Sequence, residues 1–153
     1  MNTVSQFSPP ASLFQQVTEG GKAFHFLTAA AADLELDPWP LMDPAVEGME
    51  IVDGSEPERL GRVLWKSADE KQLLLIEELD PCTFVGTHGG EAIYMIKGRV
   101  RGTPPEGAAY ELGPGDLAWF EAGCRDTWEV VERYRKLLWV SADRPLPYPG
   151  PSM

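Results

Sequence analysis

The chain of 153 residues has little of what most often marks catalytic chemistry. It carries two cysteines, Cys82 and Cys124, and two histidines, His25 and His88. The two cysteines form no CxxC pair and are too few for a disulfide framework, so they read as two free thiols in a reducing compartment. Cations are scarce: 13 Lys and Arg stand against 24 Asp and Glu, for a net charge of −11. That balance repels phosphate backbones and anionic lipid, which argues against nucleic acid and membranes as partners. No apolar run approaches the roughly 20 residues of a membrane span. The mildly apolar stretch from Phe24 to Ala32 is interrupted by His25 and has no basic lead-in, so no cleaved leader is expected and the cytoplasm is the expected compartment. The zinc-protease HExxH, the hydrolase GxSxG, the phosphate-binding glycine loop and the dinucleotide glycine fingerprint are all missing from the sequence.

What is there is a pattern of short strands. Residues 1–60 read as an N-terminal arm with a first strand or strands, 61–142 as a β-barrel and 143–153 as a proline-rich tail. In the arm, Ser12 to Val17 has the look of a helical turn capped by Ser12. Leu34 to Asp37 alternates like a strand, Asp37-Pro38-Trp39-Pro40 forbids helix, and Met49–Val52 reads as a short strand. Beyond it the spacing predicts strands at 62–65, 72–78, 92–96, 99–102, 109–112, 116–121, 127–131 and 135–141. Turn signals separate them, among them Asp80-Pro81, Lys97-Gly98 and Gly113-Pro114-Gly115-Asp116. Many short strands at regular spacing, rich in aromatic residues, argue for an all-β sandwich or barrel.

The register of a few residues is more specific. Glu91 is followed by six residues and then Gly98; Gly115 is followed by five residues and then Glu121-Ala122-Gly123. Gly113-Pro114-Gly115-Asp116 leads into the second of these motifs, and Thr127 to Glu132 followed by Arg135-Lys136-Leu137 closes the pattern. In these residues the stretch from about Arg62 to Ala142 resembles the cupins, and within them the small branch related to ethanolamine-utilisation proteins and (S)-ureidoglycine aminohydrolase. The resemblance implies a jelly-roll β-barrel of two antiparallel sheets. It also implies a metal site at the barrel mouth, built in such proteins from two histidines spaced HxH, a glutamate and a further histidine. Here the HxH positions fall near Val85, Gly86 and Thr87, His88 lies only three residues before Glu91, and Asp126 stands where the last histidine is usual.

These residues set the expectations for function. His88, Glu91 and Asp126 are the candidate ligands of one divalent metal (Mn, Fe, Ni or Zn), with an oxygen-rich donor set. Alternatively, Glu91 pairs with Arg99 or Arg125 and Asp126 bonds nearby backbone. If Glu91 and Asp126 face inward, period-two alternation turns Ile93, Met95, Trp128 and Val130 inward with them, as pocket lining or as plain core. Cys124, beside Arg125, is a further lining candidate and a candidate thiolate. The expected function is the binding of a small polar metabolite in the barrel. The alternatives are a metal-dependent enzyme on a small nitrogenous or carbonyl substrate, a class that the resemblance alone supplies, and a structural or assembly protein with an empty barrel. A homodimer is the expected assembly, with Leu34–Trp39 free to add a strand to a neighbour's sheet edge.

Overall fold

A computed structural model describes the backbone of residues 14–19 and 22–27, and residues 32–146 together with Tyr148. Two compact units divide at Glu35/Leu36. In the first, β1 (Phe14–Glu19) and β2 (Lys22–Leu27) pair antiparallel, Phe14 opposite Leu27 and Glu19 opposite Lys22. The helical turn expected to run to Val17 is therefore a strand from Phe14 onward; Ser12 and Leu13 lie outside the described residues. Hairpin pairing overrides a local helical preference, which by itself is a weak prior.

The second unit is built of β3 (Asp37–Pro38), the single turn α1 (Pro44–Glu47), β4 (Met49–Ile51), β5 (Arg59–Lys66), β6 (Gln72–Leu79), β7 (Thr83–Thr87), β8 (Gly90–Thr103), β9 (Tyr110–Leu112), β10 (Leu117–Phe120) and β11 (Arg125–Ser141). The β3 segment pairs with this chain's own β5, Asp37 opposite Gly61. No helix among the described residues is long and apolar enough to cross a membrane.

Two strands are longer than the turn signals predict. Residues 92–96 and 99–102 are one strand, β8, and residues 127–131 and 135–141 are one strand, β11. Lys97-Gly98 is a bulge, not a closing turn, and the β8–β11 register slips between Val130 and Lys136 opposite it. Gly98 has φ of +85° there, and a Cβ on it would lie 2.3 Å from the Arg133 carbonyl oxygen and 2.5 Å from the Tyr134 Cα. Only glycine lets the two backbones approach so closely.

The bulge divides both long strands between two antiparallel layers. The first half of β8 pairs with β10 and with the second half of β11, which in turn pairs with β6, then β5 and β3. The second half of β8 pairs with β9 and with the first half of β11, which continues to β7 and β4. Within this unit the sequence did not announce β7, because Thr83–Thr87 has a glycine within it and a proline shortly before it. This is the jelly-roll barrel that the register implies.

Alternation decides what each strand turns inward. On β6, Leu73, Leu75, Glu77 and Leu79 are all buried, and Leu74 and Glu78 are only partly so. On β8 and β11, Ile93, Met95, Val100, Trp128, Val130, Tyr134, Leu138 and Val140 join the apolar core. Charged side chains are buried with them, among them Arg59 of β5, Glu77 of β6 and Lys136 of β11, each less than a tenth exposed.

The bulge yields a prediction. Gly98→Ala adds a Cβ in left-handed backbone against the β11 main chain, and is expected to destabilise by about 2–4 kcal/mol in chemical denaturation. Gly115→Ala has the same backbone cost, with φ of +90°, but nothing within 4 Å of the new Cβ, and is expected to cost about 1–2 kcal/mol. Equal losses in the two variants would contradict the close approach at Gly98.

Candidate functional site

The site is assembled where two loops meet. Residues 88–89 join β7 to β8, and residues 121–124 join β10 to β11. Their backbones clasp each other: the His88 amide donates to the Cys124 carbonyl at 2.7 Å, and the Gly123 amide donates to the His88 carbonyl at 2.9 Å. The clasp turns the His88 ring inward, so that only 9% of the residue is exposed. The ring stacks on Phe120, with centroids 4.0 Å apart and planes 8° from parallel, and the Trp128 ring lies 6.1 Å away.

His88, Glu91 and Asp126 are brought together, in a particular way. His88 Nδ1 meets Glu91 Oε1, and Nε2 meets Asp126 Oδ1 at 2.7 Å. Each ring nitrogen thus has its own carboxylate, and satisfying both requires both to carry a proton. Burial alone would lower the histidine pKa, but the hydrogen bonds and charges of Asp126 and Glu91 outweigh it and raise it to about 9. Asp126 is held below the usual carboxylate range: burial pushes it up, and hydrogen bonds from His88, Tyr110 and Trp128 bring it down further. Its second oxygen accepts from the Tyr110 hydroxyl and, at 3.1 Å, from Trp128 Nε1.

This arrangement does not fit a divalent ion. Metal ligands converge on one point with their lone pairs free, whereas here the two carboxylates sit on opposite nitrogens of one ring. Among the described residues no group of three His, Cys, Asp or Glu side chains is disposed to hold a metal. The other sequence candidates separate clearly. Trp128 lines the cavity described next; Ile93, Met95 and Val130 are plain core, and Cys124 is exposed on its loop. Neither Arg99 nor Arg125 is the partner of Glu91; Arg99 faces Glu111 across the surface, 4.0 Å apart.

Beneath the clasp lies a small chamber of about 70 Å³. Arg59, Glu77 and Lys136 are in its inner wall, and Glu47, His88, Glu91 and Tyr148 border both it and a wider outer cleft of about 570 Å³. Arg59 Nε and Nη2 both reach Glu77 Oε2 at 2.6 Å, and Nη2 also meets Glu47. Glu77 Oε1 accepts from the Tyr134 hydroxyl at 2.7 Å and faces Lys136 Nζ at 3.3 Å. Burial alone would raise the Glu77 pKa, but Arg59 and Lys136 hold it down to about 2. Sequence reasoning missed this group. The available signal was a charge in an inward, otherwise apolar register, as in Leu73-Leu75-Glu77-Leu79 and Tyr134-Lys136-Leu138-Val140.

Comparison with known proteins follows the same lines. The EutQ-like cupin domain family matches residues 67–137. No curated protein matches the chain in sequence. Among solved structures, a protein from Thermotoga maritima, of a family defined only as a domain of unknown function, is 32% identical over 42% of this chain and 75% of its own, with a TM-score of 0.41. A putative ethanolamine utilization protein Q from Salmonella typhimurium is 16% identical over 84% of this chain and 93% of its own, with a TM-score of 0.54. A protein of unknown function from Pseudomonas syringae is 19% identical over 80% of this chain and 51% of its own, with a TM-score of 0.63. With the motif register and the jelly-roll barrel, the family match identifies residues 67–137 as a EutQ-like cupin domain.

Proposed function

We propose that the barrel binds a small polar metabolite directly on its side chains, without a resident metal. The observation that carries this reading is the chamber itself: charged groups from β5, β6, β8 and β11 line a space at a place where a barrel of this size could be filled with apolar side chains. Binding sites place a few polar groups convergently in an otherwise apolar wall, and Leu75, Phe84, Trp128 and Leu138 supply that wall. A volume of about 70 Å³ holds several waters, at about 10–15 Å³ for each, or one molecule of comparable bulk. The outer cleft gives it a way in.

The test is a thermal-shift screen of small polar metabolites on the full chain, with and without EDTA. A ligand present at a hundred times its dissociation constant stabilises by about 2.7 kcal/mol. The expected result is a saturable shift that EDTA leaves unchanged. Stoichiometric metal in elemental analysis, with binding lost on chelation, would instead favour a metal-dependent enzyme.

The charge state of the clasp generates a second prediction. His88 binds its proton more tightly when folded, so the folded state holds more protons than the unfolded one over this range and stability falls as pH rises. The contribution is complete below the ordinary histidine pKa of 6.5 and is lost as pH climbs through about 9. The depressed carboxylates work in the opposite direction: those of Asp126 and Glu77 are complete above about pH 4.5 and fade in acid. The unfolding free energy is therefore expected to fall by roughly 2–3 kcal/mol between pH 6.5 and 9.5. His88→Gln removes that fall, measured by urea denaturation at several pH values. An unchanged slope in the variant would show that His88 is not the titrating group.

A further inference from the structure

We propose that two copies of this chain pair face to face through the outer surface of β10, β8 and β11, with Trp119 of each copy seated in the other's hollow between Trp119 and Trp139. The pairing is independent of what the barrel binds.

The alternation that builds the barrel does not give this face a polar coat. Ala118 and Phe120 of β10, Ile93 and Met95 of β8, and Leu138 and Val140 of β11 pack into the core, so the residues between them turn outward. The register sets those outward residues in two rows across the three strands: Leu117, Tyr94 and Leu137 in one, and Trp119, Ala92 and Trp139 in the other. None of these is charged, in a chain where 24% of residues are. An antiparallel sheet with one face on a core ordinarily alternates apolar-in with polar-out. Here Trp119 is 78% exposed, Leu117 69%, and Tyr94 and Trp139 45% each. A contiguous apolar patch of this kind marks an interaction surface.

The size and relief of the face fit a second copy. A large apolar side chain presents about 150–250 Å², so at their exposures these four leave roughly 500 Å² in water. Two copies brought together cover about 1,000 Å² through those side chains alone, the area at which a specific interface begins. The face is also its own complement. Trp119 and Trp139 stand on either side of Ala92, and the three line a hollow of about 760 Å³. Trp139 is braced by Trp65, with ring centroids 5.7 Å apart, and Trp119 projects beyond it. An exposed indole beside a hollow with a small residue in its floor suits a two-fold axis, which sets knob into hollow in both directions. Charge agrees: each copy carries −11, and two such bodies meet at least cost where the contact itself is uncharged. The β10 strand stands at an end of the strand order, and its inner side presents Phe120 to His88. A second copy against Trp119 therefore backs the strand that covers the imidazole.

The experiment is sedimentation velocity on the full chain, from nanomolar to high micromolar concentration, at low and at high NaCl. A dimer that dissociates on dilution is expected. Trp119→Ser and Trp139→Ser are each expected to raise its dissociation constant at least about thirtyfold, as truncation of a central interface tryptophan does. Val52→Ser, at an exposed apolar residue just after β4, is expected to leave it unchanged. The wild-type chain supplies a readout that needs no variant: salt screens the repulsion between two acidic copies, so the dimer tightens as NaCl rises. A dimer that loosens in salt is held by ion pairs and overturns the proposal. So does a dimer that both tryptophan variants leave intact. A monomer at every concentration also overturns it, and leaves the face to a different protein or to a small apolar molecule.

Discussion

One imidazole ring between two carboxylates holds the open end of this barrel together. His88 comes from the loop after β7, Glu91 from the start of β8 and Asp126 from the start of β11. The 88–91 stretch and the start of β11, 38 residues on from His88, are thereby tied through a single planar group. The tie continues through Asp126 into Tyr110 and Trp128, whose indole also donates to the Tyr110 hydroxyl at 2.9 Å. Phe120 covers one face of the ring. Breaking a buried ion pair by removing one partner costs about 3–5 kcal/mol, because the other charge stays behind. Here two carboxylates would be left, so loop positions, the cavity wall and the Trp128 orientation all rest on one proton-loaded histidine.

Below it the barrel carries a second network, with a different logic. Arg59, Glu77, Lys136 and Tyr134 are nearly satisfied by one another, but one guanidinium nitrogen is not. Buried ion pairs are poor sources of stability, since desolvation offsets most of their attraction, and apolar residues of similar volume often serve a fold as well or better. A core built for stability alone has no use for an unpaired donor. The clasp gives the barrel mouth its shape, and the inner network gives the chamber its polarity.

The fold was legible from a handful of residues. Gly113 to Asp116 forms the turn that its composition announces: the Asp116 carboxylate accepts from the Gly113 amide at 2.8 Å, and the Gly115 amide reaches the Met95 carbonyl at 2.8 Å. Gly98 was legible as a position needing positive φ, but a hairpin turn and a bulge make the same demand, and only the partner strand distinguishes them. The site was half legible. Glu91 and Asp126 stood in register, and His88 reaches them because the loop clasp, which no local pattern encodes, turns it inward. Arg59, Glu77 and Lys136 were not read as a group because they lie on three separate strands. A charge in an alternating strand looks the same whether its face meets water or another sheet, until the pairing of β5, β6 and β11 is known.

The account stands on the protonation of His88, and nitrogen-15 NMR of its imidazole at pH 7 tests that most directly. Both ring nitrogens are expected to carry protons and to keep their shifts when Mn, Fe, Ni or Zn is added. A neutral ring with one bare nitrogen, or one whose signal is broadened or displaced by stoichiometric metal, would contradict the clasp and restore the metal site.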